Sequence, residues 1–145
     1  MSEHPNATNY RAAFEQMWQT GDASAMVGLI DPDVTWTNDI GAGPWRDIKG
    51  RAQLLEMLGH WSELFDGTFT QQLVDVCGSD DNVVAILQES GTARGQRFAN
   101  LALYRYEIGP DATYVRVRTY DRDREAIEAF WSAIGPLDSP TPSAI

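Results

Sequence analysis

Two arginines on one predicted strand have the type and spacing that point most directly to chemistry. Arg116 and Arg118 are two positions apart in YVRVRTYD, residues 114–121, so an extended chain turns both side chains to the same face. Period-two alternation along this strand places Arg116, Arg118 and Tyr120 on the inner face of a sheet. Two guanidinium groups buried there require an anion, because an unpaired buried charge is strongly unfavourable.

Three interpretations of this arginine pair are open from the sequence. In the first, the pair binds a ligand carboxylate, enolate or phenolate and stabilises developing negative charge. In the second, acidic residues of the chain neutralise it in a buried salt-bridge network, the candidates being Glu89, Glu107 and Asp121. In the third, the strand register is shifted by one residue and both arginines face outward.

Proton transfer and substrate orientation would come from other polar residues. Asn38 can hold a substrate carbonyl or a water, or satisfy nearby backbone. Asp39 is a base if a bulge turns it inward, and otherwise belongs to a turn. His60 lies on the flank of a predicted helix, either at a pocket mouth, where it titrates near neutral pH, or exposed. The predicted catalytic residues are Asn38, Asp39, His60, Arg118 and Tyr120.

Aromatic and apolar side chains would form the walls of a pocket. The tryptophans are core residues by default, but together they make a box suited to a flat polycyclic or terpenoid ligand. One strand would add an asparagine and a tyrosine to the inner face by period-two alternation. The predicted substrate-binding residues are Phe14, Trp18, Trp36, Met57, Trp61, Asn100, Tyr104 and Arg116.

The elements that position these residues begin with helices. An apolar stripe over 8–20 predicts a helix that ends at Gly21, and a short second helix ends before Pro32. A strand over 34–38 and turns or a short hairpin over 39–50 precede a third helix over about 51–65. Four strands and a last helix follow at about 69–77, 83–92, 96–108, 113–121 and 123–134.

Helices followed by consecutive strands predict an α+β fold. We expect a cone-shaped barrel, in which a strongly curved mixed or antiparallel sheet wraps round three N-terminal helices with a pocket between them. A single domain would span 8–134, and the proline- and serine-rich residues 135–145 are predicted to be disordered.

Composition excludes several classes of protein. The chain has 145 residues and a formal net charge of −10, which disfavours nucleic acid and anionic membranes as partners. There is no signal-peptide pattern, and a single cysteine, Cys77, suits the reducing cytoplasm. The two histidines are far apart, and no HExxH, CxxC, P-loop or GxGxxG occurs, so we expect no metal and no cofactor.

Three segments resemble the nuclear-transport-factor-2-like superfamily, and within it the SnoaL-like polyketide cyclases and ketosteroid isomerases. They are FEQMWQTGDASAMVGLIDPDVTW at 14–36, KGRAQLLEML at 49–58 and YVRVRTYD at 114–121. The resemblance covers residues 8–134 and implies a pocket fold that commonly forms homodimers. It also implies catalytic acids and a tyrosine at positions where this chain has Phe14, Asn38, Ala102 and Arg118.

The resemblance and the residues together favour a cofactor-independent acid–base enzyme acting on a hydrophobic small molecule. The reaction would be a cyclisation, isomerisation, dehydration or epoxide opening, and the substrate would carry an anionic or enolisable group. A non-catalytic binding or accessory module of the same fold is the alternative, and a subunit of a larger oxygenase assembly is the third reading. Fold alone does not decide between them.

Overall fold

A computed structural model describes residues 2–38 and 47–135. Four helices and six strands follow one another in this part of the chain. In chain order they are α1 (Pro5–Thr20), α2 (Ser24–Leu29), β1 (Ile30–Asn38), β2 (Asp47–Lys49), α3 (Arg51–Phe65), β3 (Thr70–Gly78), β4 (Asn82–Ala93), β5 (Gln96–Ile108), β6 (Tyr114–Asp121) and α4 (Arg124–Ile134). Asp39, one of the predicted catalytic residues, and the tail after Gly135 lie outside the described residues.

The strands form one curved, open, mixed sheet in the order β2-β1-β6-β5-β4-β3. Only β1 and β6 pair in parallel among these neighbours, with Asn38 opposite Thr119, and the other pairs are antiparallel. The first long strand and the last long strand are therefore neighbours. This pairing brings the carboxyl ends of β1 and β6 together.

The first strand is longer than its sequence pattern predicts. It begins at Ile30 and includes Pro32, whereas alternation predicts a strand from Val34. The pairing of β1 with β6 shifts register between Ile30 and Thr35, so Pro32 falls where the ladder is irregular. A proline is tolerated at such a position because no regular ladder hydrogen bond is required from it.

Helix α1 packs one apolar face on the concave side of the sheet. Its buried residues Ala7, Tyr10, Ala13 and Phe14 recur at three- and four-residue spacing, as an amphipathic helix requires. Gly21, at φ 76°, closes the helix in the left-handed region that glycine adopts readily. Helix α3 buries Leu54, Met57, Trp61 and Phe65 in the same way, and α4 buries Ile127, Phe130 and Ile134.

The inward face of β6 is the opposite of the predicted one. Counting in twos from the buried Tyr114 places Arg116 and Arg118 inside, but both are exposed, and Val117 and Thr119 are buried. The pairing of β5 with β6 skips one residue beside Tyr114, which is a β-bulge. A bulge adds one residue to one strand and so reverses the alternation beyond it.

Candidate functional site

A cavity of about 420 Å³ lies between the helices and the concave face of the sheet. Its walls are mostly aromatic and aliphatic, which is typical of a site for an apolar small molecule. The helices contribute Tyr10, Phe14, Met17, Trp18, Met26, Leu54, Leu58, Trp61, Ser62, Ile127 and Trp131 to the lining. The sheet and its connections contribute Ile30, Trp36, Asn38, Gly67, Phe69, Gln71, Leu87, Glu89, Phe98, Asn100, Tyr104, Tyr106, Thr119 and Asp121.

Aromatic rings hold the apolar walls in place. The ring of Trp61 lies 5.2 Å from that of Trp131 and edge-on to Phe98 at 5.9 Å, centroid to centroid. On the opposite wall, Trp36 packs edge-on against Tyr104 at 5.9 Å. Such edge-to-face pairs are favourable beyond the area they bury, so these walls are well defined.

Two large apolar side chains of the lining are also exposed to solvent. Trp18 on α1 and Leu58 on α3 keep 38% and 45% of their surface exposed while contributing to the lining. They mark the rim of the cavity between α1 and α3.

A carboxyl group lies at the polar end of the cavity. Glu89 keeps only 4% of its surface exposed. Its Oε2 atom accepts hydrogen bonds from the Tyr104 hydroxyl at 2.5 Å and from Nε2 of Gln71 at 2.7 Å. Oε1 accepts a third hydrogen bond from Nδ2 of Asn100 at 3.0 Å. The buried carboxyl is therefore held in a fixed orientation.

Asn100 links this carboxyl to a second one. The same Nδ2 atom that donates to Glu89 also donates to Oδ1 of Asp121 at 2.6 Å. The Oδ1 atom of Asn100 is buried and accepts no hydrogen bond from any of the described residues. Asn100 thus bridges two acids with its amide nitrogen and leaves its carbonyl oxygen unpaired.

Asn38 holds the second carboxyl from the neighbouring strand. Its Nδ2 atom donates to Oγ1 of Thr119 at 2.9 Å and to Oδ2 of Asp121 at 3.3 Å. Asp121 is half-buried at the end of β6. It therefore accepts hydrogen bonds from asparagines on both adjacent strands.

The environment of Glu89 shifts the pKa of its carboxyl group upward. Burial raises the pKa of Glu89, and the charge of Asp121 raises it further, while the hydrogen bonds from Tyr104, Gln71 and Asn100 oppose the shift. Burial also raises the pKa of Tyr104 well above its ordinary value, with the charge of Glu89 adding to the effect. Tyr104 consequently keeps its proton and acts as a donor.

Several residues predicted to bind substrate line this cavity. The lining includes the predicted substrate-binding residues Phe14, Trp18, Trp36, Trp61, Asn100 and Tyr104, together with the predicted catalytic residue Asn38. Their role in binding stays a prediction. Met57 is instead buried in the apolar core among Leu54 and its neighbours and is not a lining residue.

The other predicted site residues that the structure describes lie away from the cavity. The inward orientation predicted for Arg116 and Arg118 is wrong, because the bulge turns both to solvent, where Arg116 lies 3.3 Å from Glu107. Tyr120 is half-buried and does not contribute to the lining. His60 lies on the outer flank of α3, with Nε2 3.8 Å from Oε1 of Glu56.

Glu89 and Asp121 are the residues that sequence reasoning did not select as catalytic. A signal for Glu89 exists, because it continues the alternating series Val83, Ala85 and Leu87 that β4 buries. When alternation assigns an acidic residue to the buried face of a strand, its carboxyl group is expected to point inward. Asp121 could not be found in this way, because the bulge beside Tyr114 reverses the alternation along β6 and so changes the face on which Asp121 lies.

The polar groups of the cavity do not resemble a metal site. Within residues 2–38 and 47–135, no three histidine, cysteine or acidic side chains are grouped so that they could hold a metal ion. None of the helices described in the same ranges has the length and apolar character of a membrane span.

Solved structures share this architecture, which is the nuclear-transport-factor-2-like cone fold. Bal32a, from a soil-derived mobile gene cassette, is 24% identical with a TM-score of 0.76, over 87% of this chain and 95% of that one. A Xanthomonas campestris protein of unknown function with a cystatin-like fold is 31% identical with a TM-score of 0.71, over the same shares. TerC, co-crystallised with polyporic acid, is 20% identical with a TM-score of 0.69, over 88% and 98%.

Residues 10–110 match the family model of the SnoaL-like domain. The chain therefore belongs to the SnoaL-like family. No curated protein shows a sequence match to it.

Proposed function

We propose that this protein is a cofactor-independent acid–base enzyme acting on a hydrophobic small molecule. The observation that carries the proposal is the pair of carboxyl groups, Glu89 and Asp121, joined through one asparagine at the polar end of an apolar cavity. Paired acids in different environments are a recurrent basis for acid–base catalysis, because one group can give a proton while the other takes one.

The two carboxyl groups suit different roles. Glu89 is buried with a raised pKa, so it is the proton donor of the pair. Asp121 is half-buried and is oriented by Asn38 and Asn100, so it is the group that removes a proton from the substrate or from a water. This division supports isomerisation, cyclisation, dehydration or epoxide opening, and the aromatic walls favour a flat, apolar substrate.

The proposal replaces the anion-binding role expected of the arginines. Among the described residues that line the cavity there is no lysine, arginine or histidine, whereas there are two acids. Charge stabilisation by Arg116 or Arg118 is incompatible with their exposure on the other face of β6. Asp39 stays a candidate base, since it lies outside the described residues.

Exchanging each acid for its amide tests the proposal. We expect Asp121→Asn to lower turnover by roughly 10²- to 10⁴-fold on the reactive member of a panel of ketones, allylic alcohols and epoxides. Glu89→Gln should lower turnover on the same substrate by a similar factor. Arg118→Ala, on the same strand but facing solvent, is the matched control and should turn over within about twofold of the unchanged chain. Full activity in both amide variants would refute the assignment.

A non-catalytic binding module is the second candidate. It is favoured by Phe14 and Asn38, which lie in the cavity where the resemblance to ketosteroid isomerases implies a tyrosine and an aspartate. Under this alternative the cavity binds an apolar ligand and no panel member turns over. Detectable binding without turnover by the unchanged chain would favour it.

We also propose a homodimer formed through the outer face of the sheet. That face carries Arg105, Glu107 and Arg116, with Arg105 Nη2 3.8 Å from Glu107. Light scattering after gel filtration measures the mass directly. A monomer at micromolar concentration would contradict this part of the proposal.

A further inference from the structure

The hydrogen bonds around Glu89 leave one place for its proton. Oε1 accepts from Nδ2 of Asn100, whose two N–H hydrogens are both engaged, one on Glu89 and one on Asp121. A hydrogen on Oε1 would therefore face an N–H group, and turning the amide over would aim its carbonyl oxygen at the Asp121 carboxylate. When Glu89 is protonated, its hydrogen consequently lies on Oε2.

Oε2 has a neighbour that can accept this proton. The Tyr104 hydroxyl lies 2.5 Å from Oε2, and a phenol oxygen can both donate and accept a hydrogen bond. It donates to Glu89 while the carboxyl is ionised and accepts from Glu89 once the carboxyl is protonated. Nε2 of Gln71, 2.7 Å from Oε2, keeps its own hydrogen bond in both states, because a protonated carboxyl retains acceptor capacity. Protonation of Glu89 thus reverses its hydrogen bond with Tyr104.

This reversal frees the phenolic hydrogen of Tyr104. Glu89 and Gln71 lie on the same side of the hydroxyl oxygen, since Nε2 of Gln71 is 3.4 Å from that oxygen and 2.7 Å from Oε2 of Glu89. Among the described residues, no other group forms a hydrogen bond with the Tyr104 hydroxyl. Tyr104 lines the cavity and is half-buried, whereas only 4% of Glu89 is exposed. The phenol is therefore the more accessible member of the pair for a ligand.

We propose that Tyr104 is the catalytic residue that gives the proton to the substrate, and that Glu89 replaces this proton through their shared hydrogen bond. The Oη–H bond of Tyr104 breaks as its hydrogen bonds to a substrate oxygen, which belongs to a carbonyl, an epoxide or a departing hydroxyl. The O–H bond of Glu89 breaks in the same step, and its proton bonds to Oη. Tyr104 remains a phenol and Glu89 becomes a carboxylate, so protons and charge balance. The inference deepens the proposed function and rests on it in taking Glu89 as the acid.

The two transfers have to occur together, because a phenolate is strongly disfavoured at this position. Burial raises the pKa of Tyr104 well above its ordinary value, and the charge of Glu89 raises it further. Tyr104 can therefore give up its proton only while Glu89 supplies another. Once Glu89 is ionised, the phenolic hydrogen turns back to it. The site offers this donor again only after Glu89 has regained a proton.

Three other titratable groups act on this pair. They are Asp121 on β6, Tyr10 on α1 and Tyr106 on β5, whose charges couple to Glu89 or to Tyr104. No further acidic or basic side chain of the described residues lines the cavity. The direction of the Tyr104 hydroxyl should therefore follow the titration of Glu89, and the charge of Asp121 influences the pH at which Glu89 titrates.

A ketone with a ¹³C-labelled carbonyl tests the hydrogen bond without turnover. The chemical shift of a carbonyl carbon moves downfield when its oxygen accepts a hydrogen bond. For 2-acetylnaphthalene bound to the unchanged chain, we expect a downfield carbonyl signal at low pH that moves upfield as pH rises through the raised pKa of Glu89. Other donors of the lining, such as Ser62 and Trp131, would add a contribution without this transition.

Variants assign the transition to the named groups. Tyr104→Phe and Glu89→Gln should each lose it. Asp121→Asn should keep the transition and move it to lower pH, because a neighbouring negative charge is lost. Tyr120→Phe removes a phenol outside the lining and is the matched control, in which the transition should be unchanged. If Tyr104→Phe does not fold, the Glu89→Gln result keeps the test decisive.

Turnover tests the transfer itself. On the reactive member of the substrate panel, Tyr104→Phe should lose roughly 10²-fold in turnover. The remaining turnover, with a water in place of the hydroxyl, should still require protonated Glu89. Tyr120→Phe should stay within about twofold of the unchanged chain.

The inference is overturned if the transition persists in Tyr104→Phe, if the unchanged chain binds the ketone without a transition or does not bind it, or if Tyr104→Phe keeps full turnover. Loss of turnover in Glu89→Gln with full turnover in Tyr104→Phe would refute the role of Tyr104 and leave the proposed reaction standing. The expected transitions in a chain without turnover would refute the proposed reaction and confirm only the reversal of the hydrogen bond.

Discussion

The Tyr104 hydroxyl donates a 2.5 Å hydrogen bond to Oε2 of Glu89 in the buried part of the cavity. This distance is at the short end for a hydroxyl bonded to a carboxylate, where charge strengthens the interaction. The bond stabilises the ionised form of Glu89 against burial and against the charge of Asp121. Tyr104 therefore limits how far the pKa of Glu89 rises.

Removal of that hydroxyl should move the pH profile of the enzyme. In Tyr104→Phe the pKa of Glu89 rises further, because a hydrogen bond to its charged form is lost. Activity that needs protonated Glu89 falls as pH rises through this pKa, so the falling limb of kcat/KM should shift to higher pH. Tyr106→Phe, whose hydroxyl pairs with Tyr10, is the control and should not move the limb. A shift to lower pH in Tyr104→Phe would contradict the role of Glu89 as the acid.

Glu89 should also make stability depend on pH. Its pKa is raised in the folded chain above the ordinary value of 4.5, so the folded state binds the proton more tightly than the unfolded state does. Its contribution to stability is complete below pH 4.5 and declines as pH rises through the raised pKa.

Glu89→Gln lacks this decline. The free energy of unfolding of the unchanged chain minus that of Glu89→Gln, from urea titrations between about pH 4 and pH 8, should therefore fall as pH increases. Subtracting the variant cancels the acids common to both chains, including Asp22 and Asp31, whose pKa values are lowered. A difference that rises with pH would show that the pKa of Glu89 is depressed instead.

Two tyrosines in the lining of the cavity should be energetically coupled. The hydroxyl groups of Tyr10 and Tyr106 form a buried hydrogen bond of 2.9 Å. Either single change to phenylalanine leaves the other hydroxyl unpaired, and should destabilise the fold by about 1–3 kcal/mol. The double variant should lose less unfolding free energy than the two single variants lose together, because it leaves no buried hydroxyl without a partner. Chemical denaturation of the four proteins measures the coupling, and strict additivity would contradict it.

Gly91 on β4 and Gly59 on α3 should respond oppositely to alanine. A Cβ at Gly91 would lie 2.7 Å from Cδ1 of Phe65, a fully buried ring, and 3.1 Å from the Cα of Phe69. We expect Gly91→Ala to destabilise by about 1–3 kcal/mol through overpacking. Gly59 has open space around it, and Gly59→Ala should stabilise by about 0.5–1 kcal/mol because alanine favours helix. Equal shifts in the unfolding midpoint would refute the packing argument.

Periodicity predicts most of the fold, since the apolar stripes that define α1 and α3 arise from local spacing. The same principle places Asn100 and Tyr104 of β5 on the cavity side, where they are found. It fails on β6, because the bulge beside Tyr114 depends on pairing with β5 and leaves no signature in the local pattern. That one-residue shift removes the arginines from the cavity and brings in Asp121. Glu89 was available from alternation, but its importance depends on three partners from the two strands beside it, β3 and β5.

The parallel pairing of β1 with β6 determines when the cavity can be completed during synthesis. Asn38 and Asp121, which share a hydrogen bond, are separated by 83 positions, so the ribosome must release nearly the whole chain before they meet. Such distant contacts raise contact order and slow folding. A nascent chain arrested before β6 would expose the aromatic walls without the strand that covers them, and it is at this stage that the polypeptide is most vulnerable to aggregation.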